Sequence, residues 1–179
     1  MTGAYRKSAS WWAVMGGIVV GLVVIDTALL GRWPLFGVRP DLVLVFAVGL
    51  ALRRGPWEGA ALSLAAGLVH DLLGGHLIGL SAVGYGAAAW VAGLAGERLY
   101  PERWMIGMGA VAAGTLVSEA VYVAGAHAFG VPLPGGMLGM VLPGLIGYHL
   151  LLTPIVFPIS RWAAGLLSAR DSGEVAIQG

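Results

Sequence analysis

From Trp57 to Gly96 the chain runs for forty residues that are almost continuously apolar, with one weak break at Gly74-Gly75. As one helix at about 1.5 Å per residue this stretch would reach roughly 60 Å, twice the thickness of a hydrocarbon core of about 30 Å. It must therefore be two helices joined by a tight turn. The medium follows from the composition: 58% of the residues are hydrophobic and 11% are charged, with a mean hydropathy of +0.86. Soluble domains carry about 25% charged residues, so a fold of this composition in water would leave too much apolar surface exposed. The solvent is lipid.

Four more spans follow from the requirement of about 20 apolar residues each. The first runs from Trp11 to Gly31 behind the flank "AYRKSAS". Its apolar run is too long for a signal-peptide core and no small-x-small cleavage site follows, so it reads as an uncleaved helix. The second, Pro40 to Leu52, is short and must either draw on "WPLFGV" or be sheltered by its neighbours. The fifth is Trp104 to Phe129. The sixth runs from Met137 to Trp162, interrupted by Pro143, Pro154 and Pro158. The expected architecture is all-α, a polytopic membrane protein with six transmembrane helices. Residues 1–167 form a single domain, and 168–179, "SARDSGEVAIQG", form a short polar cytoplasmic tail without fixed structure.

Loop Lys and Arg set the expected orientation. With the amino terminus in the cytoplasm, Arg6, Lys7, Arg53, Arg54, Arg98, Arg103, Arg161 and Arg170 lie inside, against Arg32 and Arg39 outside. Both termini are then cytoplasmic. A net charge of +1 without a basic stripe excludes an electrostatic nucleic-acid binder. Absence of cysteine excludes disulfides, iron–sulfur clusters and thiolate zinc sites.

An ionisable group at mid-bilayer costs about 2.5 to 3.5 kcal/mol on insertion scales, so each needs a reason. Counted by depth, Asp26, Arg39, Asp41, Asp71, Glu119 and His127 form a polar cluster in the outer half of the bundle, while His149, midway along the sixth span, stands apart. Asp71 is expected to cap the next helix or pair with Arg39, or to take part in binding. His70 projects about 100° from Asp71 on a regular helix, so these two neighbours do not converge. No ligand-spaced pair of histidines occurs on any one span, so no metal site and no cofactor are expected. His70, Asp71 and His76 are read as the polar residues of a hairpin leaving the hydrocarbon at Gly74-Gly75.

Small residues recur at helical spacing. Ala13, Gly17 and Gly21 make one seam; Gly59, Ser63, Gly67 and Asp71 a second; Gly107, Ala110, Gly114 and Ser118 a third, with Thr115, Glu119 and Tyr122 beside it. Such faces let helices approach closely in a membrane.

The segment "RPDLVLVFAVGLALRRGPWEGAALSLAAGLVHDLLGGHLIGLSAVGYGAAAWVAGLAGERLY" resembles the rod shape-determining protein MreD family. The matching pattern is Pro40-Asp41, Gly59 and Gly67, Asp71, Gly74, and Ile78-Gly79-Leu80. The resemblance implies a non-enzymatic scaffold of the bacterial cell-wall elongation complex in the cytoplasmic membrane. The implied partners are MreC and, directly or through the complex, MreB and the elongation glycosyltransferase–transpeptidase pair. It also implies a fold similar to the substrate-binding subunits of energy-coupling-factor transporters. Hence a second reading: a vitamin-binding subunit whose ligand meets Asp26, Asp71, Glu119 and His127. A third comes from "GLSA", which resembles the nucleophile motif of rhomboid proteases, with Ser81 as nucleophile and His149 as base. In the preferred reading, Gly17, Gly21, Gly59, Gly67, Asp71 and Gly79 serve partner binding or packing.

Overall fold

A computed structural model describes residues 2–28, 40–74, 78–99, 104–131 and 137–175. Those residues are helical apart from short turns, with no strand among them, in six helices. They are α1 (Thr2–Ala28), α2 (Leu42–Arg54), α3 (Pro56–Gly74), α4 (Leu80–Arg98), α5 (Trp104–Ala128) and α6 (Met137–Val175). By length and composition, 104–128 and 141–166 qualify as membrane spans.

The short second helix is the centre of the molecule. Asp41 stands before it in an extended conformation, and its Oδ1 accepts the Leu44 N–H at 2.9 Å. That bond satisfies one of the orphan donors of the first turn. Every residue from Leu42 to Leu52 is buried. A helix that is apolar on all sides has no face to offer water and must be surrounded. Here α2 packs against all five other helices. Thirteen residues rise only about 20 Å, so sheltering by neighbours, one of the two ways foreseen for the short span, is what the fold uses. The segment "WPLFGV" and Arg39, Arg32, Gly75 and His76 lie outside the described residues.

The corner from α2 into α3 is tight. Gly55 takes φ 82°, a left-handed conformation that favours glycine, and returns its N–H to Ala51 O at 2.9 Å. Pro56 then opens α3, where a missing N–H costs nothing. An ion pair of 2.7 Å between Arg54 and Glu58 straddles the corner. Around α2 the order of packed pairs is α1–α3, α3–α4, α4–α5, α5–α6.

Small residues set these distances. A Cβ on Gly67 would stand 2.5 Å from Ala82 Cα and 2.7 Å from Ala82 N, and one on Gly59 would meet Ala51 Cβ at 2.5 Å. On α5, a Cβ on Gly114 would meet Val48 Cγ2 at 2.7 Å, and Gly107 lies against the Phe157 ring. These seams are closed within the chain. Gly17 and Gly21 on α1 have nothing within 4 Å of a built Cβ among the described residues.

Two boundaries differ from the sequence reading. The first helix begins at Thr2, because Ala, Arg and Lys propagate a helix as well as apolar residues do. The sixth runs unbroken through all three prolines and on to Val175, so most of 168–179 is helical. Prolines are tolerated in membrane helices where neighbouring groups meet the freed carbonyls. Ala, Leu and Arg in 163–170 supply helical propensity past Trp162.

Gly67→Leu should therefore lower the melting temperature in detergent or abolish a monodisperse gel-filtration peak, since overpacking typically costs about 1–3 kcal/mol and here the obstacle is backbone. Gly17→Leu should leave both unchanged. Equal melting of wild type and Gly67→Leu would show that α3 and α4 are not packed this closely.

Candidate functional site

Two polar constructions lie in the half of the bundle where α3 turns into α4, one at its end and one near its middle. The simpler one is a cap. Asp71 is 1% exposed, and its Oδ2 accepts backbone N–H groups from Gly79 at 2.8 Å, Ser81 at 3.2 Å and Ala82 at 3.4 Å. Gly79, at φ 94°, holds the N-cap position of α4 without a side chain to cap it. A carboxylate eight residues upstream supplies the missing acceptor, and its charge faces the positive end of the α4 dipole. Asp71 thus takes the capping role foreseen for it; Arg39, its alternative partner, is outside the described residues.

The second construction is a chain of side chains, one from each helix or its cap. His70 Nε2 (α3) lies 3.8 Å from Asp26 Oδ2 (α1). His70 Nδ1 lies 3.1 Å from the Tyr85 hydroxyl (α4), which donates to Oδ2 of Asp41 at the head of α2. The Asp41 backbone N–H donates to His149 Nε2 (α6) at 2.9 Å. His149 Nδ1 lies 2.8 Å from Thr115 Oγ1 (α5), which donates to Val111 O at 2.8 Å. A backbone N–H only donates, so Nε2 of His149 carries a lone pair and its proton sits on Nδ1. This half of the chain is fully satisfied.

Several sequence placements change accordingly. His149 does not stand apart: it is 1% exposed and bonded to the cap of α2. Depth counted along each span put Asp41 near the surface, but the head of the short α2 lies level with the middle of α5 and α6. His70 is no lip residue either; it is 7% exposed and faces the core. His127 is exposed at the last turn of α5, away from the chain. Glu119 is half-buried, one turn beyond Thr115 and within electrostatic range of Asp41. Tyr85 went unnoticed in the sequence. The available signal was a phenol inside the alanine- and glycine-rich run "GYGAAA", because a buried tyrosine hydroxyl needs a partner.

Asp26 and Asp41 present a charge problem. Together with His70 they offer ligand atoms all within 4.8 Å of one another. Two carboxylates at that distance repel by about 3 kcal/mol at an effective dielectric near 20. The pair needs a proton or a cation between its members. Asp26 Oδ1 is buried without a hydrogen-bond partner among the described residues.

The geometry speaks against the two rival chemistries. Both ring nitrogens of His149 are engaged by Asp41 and Thr115, and Ser81 sits in the first turn of α4 beside Asp71, so the pair forms no nucleophile–base couple. Asp26, Asp41 and His70 converge on one another, their ligand atoms within 4.8 Å. A cleft of about 110 Å³ between α1, α2 and α3 is apolar, lined by Met15, Val19, Phe46, Leu50, Leu62 and Val69.

An all-α fold with two helices long and apolar enough to cross a membrane, and a buried polar chain at its centre, is consistent with a helical membrane protein. The model of the rod shape-determining protein MreD family matches residues 8–130, and the chain belongs to that family. Its role therefore lies in determination of rod shape. Comparison with curated proteins and with solved structures finds no match.

The cap yields a prediction. Asp71→Leu removes the acceptor of three N–H groups and should destabilise by about 1–2 kcal/mol. Asp71→Asn keeps an acceptor oxygen and should lose less than half as much. Detergent unfolding followed by circular dichroism reads both; equal losses would mean that the cap is not what holds α4.

Proposed function

We propose that this chain is a non-enzymatic scaffold of the cell-wall elongation complex, spanning the bacterial cytoplasmic membrane six times with both termini inside. Residues 1–167 make the single membrane domain, of the kind seen in substrate-binding subunits of energy-coupling-factor transporters. α2, too short to span alone, completes its crossing within the bundle. Eight of ten Lys and Arg residues fall on the cytoplasmic side in this arrangement. Membrane lipids surround the bundle, and nucleic acid has no place in it.

The observation that carries the reading is the division of the small-residue faces. Gly59, Gly67, Gly107 and Gly114 are used up inside the chain, while Gly17 and Gly21, four residues apart on one face of α1, are open. Val20 and Val24 beside them are 42% and 53% exposed. Among the described residues, α1 packs mainly against α2 and α3. Close packing of a second helix on such a face gains dispersion contacts that lipid chains do not match in shape. We assign this face to the membrane span of MreC. MreB and the glycosyltransferase–transpeptidase pair are then reached through the assembled complex.

Affinity purification from membranes tests the assignment. Gly17→Leu combined with Gly21→Leu should reduce recovery of MreC at least tenfold, without changing the melting of the isolated chain. Gly109→Leu, an open position on α5, should recover MreC as wild type does. Full recovery with the α1 variant would remove α1 as the docking face.

A further inference from the structure

Asp26, Asp41 and His70 are far apart in sequence and belong to three separate elements, yet their ligand atoms converge within 4.8 Å. We propose that this cluster binds a divalent transition-metal cation of the zinc class, held by Asp26, Asp41 and the Nε2 of His70. Four features of the site support a cation.

The first is the orphan oxygen. Asp26 is 7% exposed, its carboxylate accepts a backbone hydrogen bond from Leu42 and faces His70 through Oδ2, and its other oxygen, Oδ1, has no hydrogen-bond partner among the described residues. A buried carboxylate oxygen without a donor is uncommon, and a metal ion is one of the things that satisfies it. The second is spacing. The 3.8 Å between His70 Nε2 and Asp26 Oδ2 is too long for a hydrogen bond. Ligands bound to zinc at about 2.0–2.2 Å stand roughly 3.4 Å apart, so small side-chain movements close the site.

The third is the support behind the imidazole. Metal-binding histidines usually have their second nitrogen held by a hydrogen-bonding partner, which fixes the ring. Here Tyr85 lies 3.1 Å from His70 Nδ1 while also bonding Asp41, so one hydroxyl orients two of the three ligands. The fourth is the donor set. Two carboxylates with one imidazole suit zinc and its neighbours, whereas magnesium and calcium select oxygen alone. A cation would also cancel the repulsion between Asp26 and Asp41. It would reinforce the tie that the Asp26–Leu42 hydrogen bond makes between α1 and the head of α2.

The inference is independent of the partner assignment, because it is tested on the isolated full-length chain. Protein purified in detergent is stripped with a chelator, reloaded with zinc, desalted and measured by plasma mass spectrometry, with a parallel calorimetric titration of zinc. Wild type should retain one zinc per chain. Asp26→Asn and His70→Gln should lose stoichiometric retention, and Tyr85→Phe should weaken affinity about tenfold. His127→Ala should bind as wild type, which separates the site from an exposed histidine.

No zinc above background in wild type would overturn the proposal and leave a shared proton between the carboxylates. Undiminished uptake by Asp26→Asn would place the metal elsewhere and overturn it too. Should the Asp26 and His70 variants fail to give a monodisperse peak, Tyr85→Phe decides: unchanged affinity there counts against the site.

Discussion

The hydrogen bonds around Asp41 set the arrangement of the other helices. Its Oδ1 caps α2, its Oδ2 receives the Tyr85 hydroxyl from α4, and its backbone N–H reaches His149 on α6. His70, Asp26 and Thr115 extend these contacts to α3, α1 and α5. Because α2 is apolar on every side and packs against every other helix, whatever fixes its head fixes the bundle's register. Dispersion contacts hold the helices together, but they tolerate sliding by a turn. Directional bonds from one end do not.

This explains why polar groups are kept where apolar ones would be easier to insert. A buried network in which every donor has an acceptor contributes modestly to stability and strongly to the choice of one arrangement. The His149–Thr115 half meets that condition with neutral groups. The Asp26–Asp41–His70 half does not, since it holds excess carboxylate and an unsatisfied oxygen. A structural lock and a site able to respond to a cation therefore lie side by side. They share the Tyr85 hydroxyl.

Much of this was legible in the sequence, for identifiable reasons. The α3–α4 hairpin was expected because forty apolar residues would exceed one bilayer crossing, and two helices with a turn between them are what the structure has. The divergence of His70 and Asp71 followed from helix geometry, and they do serve different constructions. Depth was harder. Counting residues along each span assumes that all spans begin at one level, and the thirteen-residue α2 breaks that assumption, which is why His149 looked isolated. Tyr85 was hard to read because a single tyrosine in "GYGAAA" belongs to no polar spacing pattern. Ligand spacing along one helix could not reveal a cluster drawn from three elements. The glycine seams were visible as patterns, but only the packing separates Gly67, pressed on Ala82, from Gly17, which is open.

For a family concerned with rod shape, a rigid core with one loosely packed helix is a sensible division of labour. The core keeps its form while α1, in the proposed reading, is the helix offered to a partner. The claim on which this rests is that Asp41 couples the helices. A double-mutant cycle tests it, pairing Asp41→Asn, which retains the α2 cap, with Tyr85→Phe, and reading unfolding free energy in detergent micelles. A coupling energy of about 1 kcal/mol or more is expected. Losses that simply add, to within about 0.3 kcal/mol, would contradict it.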